Sequence, residues 1–346
     1  MHMFPVGRVC WRMLWGSDCG ALAKARRALE DTPGSACAWS GTVGTVRVVP
    51  GDEGQLLCEK QVKPATRSAV REEAAALRAL ATLSAWVTPR LAASLQATAD
   101  DLEAEIDMRT ERARAEALRA AVEGDEACGA LRIEAVRPHL PRCTADTFAY
   151  EYVPGAPLGR GVDRCVVQRY VCGFFSLMHR AGVLLLDPSP SNALLRLDGT
   201  LVLIDAGAAR AMTPAERAIA RRLHLADTEG EVRAALGGDA VDGTVARMVW
   251  RYTEPFWCSR KEFPPVDDAV ALVASVRGLS SELPPSAAGI ARAVFGMVRA
   301  VQQLGFNAMD TRPFMLEIRA LYSQPQSHSS SPSCSVTMTS SSSAGR

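Results

Sequence analysis

Apolar positions recur with two different periods along this chain. Val46 and Val48 alternate with polar neighbours, and Leu56, Leu57 and Cys58 follow after the cluster Pro50-Gly51-Asp52-Glu53-Gly54. Period-two alternation is a strand signature and a Pro/Gly/Asp cluster is a turn, so residues 38–63 predict strand–turn–strand. The period then lengthens. Val70, Ala74, Leu77, Leu80 and Leu83 fall at helical spacing and predict a helix over 67–83. A second, densely charged helix is expected over 99–123, ended by Gly124 and Asp125. Most of its charges read as a solvated face laced by i,i+4 pairs. Residues 130–160 return to strands: Leu131, Ile133 and Val136 alternate loosely, and 148–153 runs up to Pro154-Gly155.

Behind this β-rich front the pattern is helical. Val166, Val167, Tyr170, Val171, Phe174, Phe175, Leu177 and Met178 mark an apolar helix over 163–182. Asp198-Gly199 is a hairpin signal between two short apolar runs. Thr213-Pro214-Ala215-Glu216 is a capping box with proline at the first helical position, opening a helix over 214–226. Further helical patterns run through about 229–236, 243–252, 266–277, 285–304 and 310–322. From residue 324 the chain is Ser-rich with few apolar positions, and 324–346 reads as a disordered tail. The expected domain spans 38–323, with a front lobe over about 38–153 and a back lobe over about 154–323. Residues 1–37 are an extension. Their Arg8, Arg12, Lys24, Arg26 and Arg27, interleaved with Trp11, Met13, Leu14 and Trp15, read equally as an organelle-targeting segment or as a helix packed on the domain.

Composition narrows the classes. Of 346 residues, 48% are hydrophobic and 22% charged, as in globular proteins, and the net charge of +1 argues against a nucleic-acid partner held by bulk electrostatics. No apolar run approaches the roughly 20 residues of a membrane span, which leaves peripheral membrane contact open. The ten cysteines are scattered without a C-x-x-C pair, so a zinc site is not expected and a reducing compartment is the default.

The chemistry concentrates in 179–207. Asp187 and Asn192 stand five apart in a Pro-rich loop, and Asp205 follows the apolar run 201–204. This is the layout of a kinase-like catalytic loop and metal-binding loop. In that chemistry an Asp positions the nucleophile, while an Asn and a second Asp hold Mg²⁺ against nucleotide phosphates. Upstream, Gly41 and Gly44 would let a backbone loop approach phosphates. Lys60, at the end of the return strand, would reach the α- and β-phosphates, with Lys63 as its rival. Cys58 shares a face with Lys60 and suits contact with an adenine ring. Backbone groups from Glu151 to Val153 could bind the adenine edge.

These motifs together resemble the UbiB/ADCK atypical kinase-like proteins, linked to ubiquinone and other prenylquinone biosynthesis. Asp187-Pro-Ser-Pro-Ser-Asn192 is similar to that family's D-P-H-P-G-N loop, and Leu201-Val-Leu-Ile-Asp205-Ala-Gly207 to its L-V-L-I-D-F-G. Met212-Thr-Pro-Ala-Glu-Arg217 resembles L-S-P-E-E-R, Lys60-Gln-Val-Lys-Pro64 resembles K-V-Q-R-P, and Glu105-Ile-Asp107 resembles the E-x-D motif of the family's inserted helices. The resemblance covers roughly 38–322. It implies an α+β, two-lobed protein-kinase-like fold, with a small β-rich N-lobe carrying inserted helices and a helical C-lobe. It further implies bound ATP or ADP with Mg²⁺. Lys60 would bind phosphates with Glu105 as its partner, ahead of Glu73. Asp187 would be the catalytic acid, Asn192 and Asp205 the metal ligands, and Asp107 a supporting polar or metal residue.

Four departures accompany the likeness. No K-x-G-Q motif occurs in 1–37, and Leu185, Ser189 and Ala206 stand where the family has His, His and Phe. The Leu185 and Ala206 changes remove packing and are expected to loosen the register of the two loops. The expected function is Mg-dependent ATPase or small-molecule or lipid kinase activity supporting prenylquinone synthesis. The alternative is a degenerate pseudokinase with a regulatory or interaction role. The implied partners are a nucleotide, a quinone precursor or lipid, and other quinone-biosynthesis proteins. The implied location is a mitochondrion or plastid, otherwise the cytoplasm. A conventional protein kinase is disfavoured, because the helix at 214 begins at once after Asp205, leaving no long activation loop.

Overall fold

The computed structural model describes residues 38–40, 44–86, 88–241, 243–257, 262–263, 285–309 and 311–323. The expected extension 1–37, helix 266–277 and tail 324–346 lie outside the described residues. The front lobe is an antiparallel sheet of β1 (Ala38–Ser40), β2 (Gly44–Pro50), β3 (Leu56–Val62) and β5 (Thr147–Glu151), in the order β1-β2-β3-β5. Register pairs Val46 with Lys60, Val48 with Cys58, Lys60 with Phe148, and Cys58 with Tyr150. Cross-strand partners share a face. One side of the sheet is therefore apolar apart from Lys60, with Phe148 fully buried beside it.

Two helices, α1 (Pro64–Ser84) and α2 (Pro89–Ile106), form a hairpin inserted after β3. Each begins on a proline, where a missing N–H costs nothing. Their contact is built from small residues, with Ala74, Ala81 and Ala99 buried, and Arg78 bridges to Asp100 at 2.8 Å and Glu103 at 2.7 Å. The apolar stripe of α1 is not core along its length: Leu80 is 53% and Leu83 75% exposed.

The expected helix over 99–123 is two helices. The chain turns extended at Asp107 (φ −94°, ψ 104°), and α3 (Met108–Gly124) starts afresh. Asp107 caps it by accepting from the Arg109 N–H at 3.0 Å, and the Met108 N–H donates to the Ala145 carbonyl at 3.2 Å. An extended aspartate that satisfies an orphan amide ends one helix and begins another. After the short α4 (Glu126–Ala130), β4 (Ile133–Ala135) joins a second sheet in the order β4-β9-β8-β6. Its other strands are β6 (Ala156–Pro157), β8 (Ala193–Leu195) and β9 (Leu201–Leu203). The hairpin expected around 197–200 joins β8 to β9.

The back lobe opens with α5 (Arg164–Ser176), which passes into one π-turn at Leu177–Ala181 and stops at Gly182 in the left-handed region (φ 68°). A Cβ on Gly173 would meet the end of the Ile133 side chain, so a larger residue there would require that side chain to shift as α5 packs on β4. β7 (Val183–Leu185) then pairs with β10 (Ala209–Ala211). The helices α6 (Pro214–Leu225), α7 (Glu229–Leu236), α8 (Gly243–Trp257), α9 (Pro285–Gln303) and α10 (Arg312–Ser323) complete the lobe. The capping box at Thr213 and Glu216 forms as expected. The whole is a mixed α+β structure, a small β-rich lobe with inserted helices followed by a helical one. No helix among the described residues is long and apolar enough to cross a membrane.

Candidate functional site

Between the lobes lies a cavity of about 190 Å³, lined among others by Lys60, Glu111, Arg114, Asp187, Asn192, Asp205 and Gly207. Strand alternation delivers Lys60 to it. Lys60 Nζ meets Glu111 Oε1 at 2.6 Å and Asp205 Oδ2 at 3.2 Å. Glu111 comes from α3, on the stripe Met108, Glu111, Ala115, Leu118, Val122 that is buried along that helix. A carboxylate on a buried stripe needs a cation, and Lys60 supplies it. Arg114, one turn further on α3, donates to the Gly207 carbonyl. The Gly207 N–H in turn donates to Asp205 Oδ1 at 2.8 Å, leaving Oδ2 to Lys60.

Asp187 and Asn192 sit on the loop after β7. Asn192 Nδ2 donates to the Asp187 carbonyl at 3.3 Å and is 3.5 Å from Asp187 Oδ2, so its amide oxygen is turned away from this contact. Backbone bonds hold this loop and the Asp205 loop together. The Leu186 N–H donates to the Ala208 carbonyl at 3.0 Å and the Ile204 N–H to the Asn192 carbonyl at 2.9 Å. Leu185 pairs with Ala209 in the β7–β10 ladder, and Tyr170 Oη donates to the Ser189 carbonyl at 3.3 Å. At Leu185 and Ala206, where packing was expected to be lost, the two loops are joined by these main-chain hydrogen bonds.

Electrostatics at the site follow from this clustering. Burial alone would lower the Lys60 pKa, but Asp205 and then Glu111 outweigh it and keep the ammonium charged above its ordinary value. Burial would raise Asp205, yet Lys60 and the Gly207 N–H hold it below the usual carboxylate range. Glu111 is pushed up, by burial first and by repulsion from Asp205, with Lys60 pulling against both. Asp187 is raised by burial and by the neighbouring Asp205 charge, against Arg292, Asn192 and Arg299.

Not every expected residue reaches the cavity. Glu105, expected to pair with Lys60, lies in the last turn of α2, Glu73 is exposed on α1, and the lysine bonds Glu111. Glu111 meets the lysine from the first turn of α3, which starts anew after the extended Asp107. Asp107, expected to support the metal, is spent on the helix cap and on Arg109, 3.4 Å from its guanidinium. Gly44, Cys58, Glu151 and Val153 do not line the cavity. Gly44 is a pairing residue: a Cβ there would lie 2.6 Å from the Gln61 carbonyl oxygen. Cys58 is buried against Tyr150 and its thiol is pushed up to about 11 by burial. Glu151 lies at the strand end, its N–H donating to the Arg137 carbonyl at 3.1 Å and its side chain facing Arg137. Val153 follows two residues beyond it. Lys63 precedes α1 as its cap residue. Gly41 lies outside the described residues.

Among the described residues no cluster of three or more His, Cys, Asp or Glu could hold a metal by itself. Asp205 with the Asn192 amide oxygen is a two-donor set of hard oxygens. That set fits Mg²⁺, which is commonly held by one or two protein oxygens, substrate phosphates and water.

A lysine locked to a helical carboxylate, an Asp–Asn loop and an Asp–x–Gly loop, all converging between a β-rich and a helical lobe, define a kinase-like protein. The sequence profile of the ABC1 atypical kinase-like domain matches residues 44–235, more than half of the chain, and the chain belongs to that family. Among solved structures it is similar to Rv3197 of Mycobacterium tuberculosis, solved in complex with erythromycin. The TM-score is 0.61 and the identity 17%, over 88% of this chain and 84% of that one. The Rio2 kinase of Chaetomium thermophilum, solved as an ADP/Mg²⁺-phosphoaspartate complex, aligns at a TM-score of 0.32 and 12% identity, over 88% and 77%. No curated protein sequence matches the chain.

Proposed function

We propose that this chain binds a Mg-nucleotide between its lobes and turns over ATP, as an ATPase or as a kinase of a small molecule or lipid. The observation that carries this reading is the convergence of Lys60, Glu111, Asp205, Asp187 and Asn192 on one cavity. Lys60, oriented by Glu111, would neutralise phosphate oxygens. Asp205 and Asn192 would hold Mg²⁺, which when bound supplies charge neutralisation across the phosphates. Asp187, exposed to the cleft and with a raised pKa, would accept the proton of the attacking water or hydroxyl. Arg114 fixes Gly207 and through it the Asp205 carboxylate.

Within the ABC1 family, the D-P-x-P-x-N loop motivates placing the chain in the UbiB/ADCK branch. Its role would then be support of prenylquinone synthesis in a quinone-making organelle. Thermal shift with Mg-ATP and Mg-ADP on wild type and Asp205→Asn tests the binding step: a Mg-dependent shift lost in the variant is expected. ADP release by wild type and Asp187→Asn tests turnover. Nucleotide binding without any hydrolysis would leave the pseudokinase reading instead.

A further inference from the structure

Glu111 and Arg114 sit one turn apart on α3 and reach the Asp205 loop by separate routes. Glu111 Oε1 holds Lys60 Nζ at 2.6 Å, and Lys60 meets Asp205 Oδ2 at 3.2 Å. Arg114 Nη1 donates to the Gly207 carbonyl, and the Gly207 N–H donates to Asp205 Oδ1 at 2.8 Å. The two routes close a ring from Glu111 through Lys60, Asp205, Gly207 and Arg114, completed by one helical turn. The ring is tight. A Cβ on Gly207 would lie 3.0 Å from Asp205 Oδ1 and 4.0 Å from the Glu111 carboxyl carbon. Within it each oxygen of Asp205 has its own donor. The outer torsion of an aspartate is soft, so two donors fix a carboxylate plane that one would leave free to turn. Lys60 is the donor that a nucleotide phosphate would draw away, and the Gly207 N–H is the one that would remain.

We propose that Arg114 is a positioning residue for the metal-binding carboxylate: it braces the Asp205 loop against α3 where Ala206 offers too small a side chain, and keeps Asp205 in the plane seen here once Lys60 turns to phosphate. This rests on the reading of the cleft as a Mg-nucleotide site. Ala206 is 1% exposed and carries a single methyl, so packing at that position gives the loop little hold on the helix. The guanidinium spans to the main chain instead. It stays charged at every working pH, and a charged donor makes the stronger bond to a carbonyl. Arg114 is half-buried and lines the cavity beside Ala208 and Ala209, which keeps that bond out of bulk water. On this account Ala206 does not mark a site that has lost its metal.

Calorimetry of ADP binding to the full chain, across a Mg²⁺ series and in EDTA, tests this on Arg114→Met, Arg114→Gln and Arg114→Lys. The control is Arg119→Met, an arginine of the same helix that bonds Glu123 at 2.7 Å on the surface. In Arg114→Met the Mg²⁺ concentration that gives half of the gain in ADP affinity should rise about tenfold, while affinity in EDTA stays within about twofold of wild type. Arg114→Gln keeps a donor without the charge and should show a rise of about threefold, and Arg114→Lys should come closest to wild type. Hydrogen exchange of the ligand-free chain gives a readout without metal or nucleotide: residues 205–208 should exchange faster in Arg114→Met than in Arg119→Met. A wild-type Mg²⁺ requirement in Arg114→Met overturns the proposal, and Arg114→Gln decides in the same way if Arg114→Met does not fold. An equal loss in EDTA and in Mg²⁺ also overturns it, because Arg114 would then act on the phosphates or on the fold. If wild type gains no ADP affinity from Mg²⁺, the reading of the cleft fails and this proposal with it.

Discussion

Lys60 on β3 and Glu111 on α3 meet at 2.6 Å, 51 positions apart in sequence, and Glu111 is only 5% exposed at its side chain. The pair joins the inserted helices to the sheet and sets where the lysine can reach. Glu111→Gln removes the charge and keeps the volume. It should lower nucleotide affinity and ATP turnover by about tenfold or more, because a neutral amide leaves Asp205 as the one anionic partner of Lys60, which then competes with the metal for that carboxylate. Glu105→Gln and Glu73→Gln should stay within about twofold of wild type. Titration of nucleotide by calorimetry on the three variants decides it, and equal losses in all three would refute the assignment of Glu111.

Asp107 acts as a cap, accepting the Arg109 N–H at 3.0 Å. Asp107→Ala should cost about 1 kcal/mol of stability, read as a lower urea midpoint, while Asp107→Ser should recover most of it. The Mg²⁺ dependence of nucleotide binding should be the same in both. A weakened metal requirement in Asp107→Ser would restore the metal role that the E-x-D resemblance implies.

These two residues also show where the sequence was legible and where it was not. The strands around Lys60, the capping box at Thr213 and the Asp187–Asn192–Asp205 spacing follow from local pattern, and the structure places them as the pattern requires. The partner of Lys60 did not follow, because it depends on the phase of one helix. Glu105 was expected from the E-x-D resemblance, whereas Glu111 stands in the first turn of a helix that starts anew after Asp107. The signal was present, since Glu111 lies on the same stripe as Met108, Ala115 and Leu118. A lone acid on an apolar stripe calls for a cation. The stripe Leu77–Leu80–Leu83 marked its helix correctly but left open what covers it, because helical periodicity records an apolar face without recording its partner.

Asp187 is raised by burial and by Asp205, with Arg292 and Arg299 working against the shift. α9 brings these arginines close by packing Gly296 on the catalytic loop, where a Cβ would lie 2.8 Å from Pro188 Cδ. Asp187 must be ionised to accept a proton. Arg292→Gln removes an opposing positive charge, so the Asp187 pKa rises further and the acid limb of the pH–rate profile moves to higher pH. The rate well above that limb should change little. A limb that moves to lower pH, or does not move while Asp187→Asn abolishes turnover, would contradict this electrostatic account.

Gly44 opens β2 opposite Val62, with the Gln61 carbonyl oxygen 2.6 Å from where a Cβ would be. Backbone cannot yield as a flexible side chain can. Gly44→Ala should therefore destabilise the domain by about 1–3 kcal/mol through displacement of β2 from β3. Nucleotide affinity, measured below the unfolding transition, should fall as well, since β3 carries Lys60. A stable Gly44→Ala protein with a selective loss of phosphate binding would instead favour a direct role for this glycine against the phosphates.

His224 is fully buried on α6, its Nε2 3.2 Å from the Met315 carbonyl of α10, and its ring lies 4.7 Å from that of His179. The short distance to a carbonyl requires Nε2–H as donor, which the neutral ring provides. Burial lowers the pKa of His224 from 6.5 to about 4, the Met315 carbonyl opposing that and Arg319 adding to it, and burial holds His179 well below its ordinary value. Between pH 6.5 and 4 the unfolded chain takes up a proton at position 224 that the folded chain refuses. More protons bound in the unfolded state means stability that falls with falling pH. The slope approaches about 1.4 kcal/mol per pH unit for each such histidine. Urea denaturation across this range should show that decline. Replacing His224 by Gln, which can still donate to the Met315 carbonyl, should remove one histidine's share of the slope. His179 donates to or accepts from Tyr322 Oη at 2.7 Å and ties α10 to the π-turn ahead of the catalytic loop. Acidification should therefore loosen α10 before the sheet of the front lobe, and hydrogen exchange resolved by segment would show protection lost first over 312–323. Uniform loss across both lobes would mean that the two histidines report global unfolding alone.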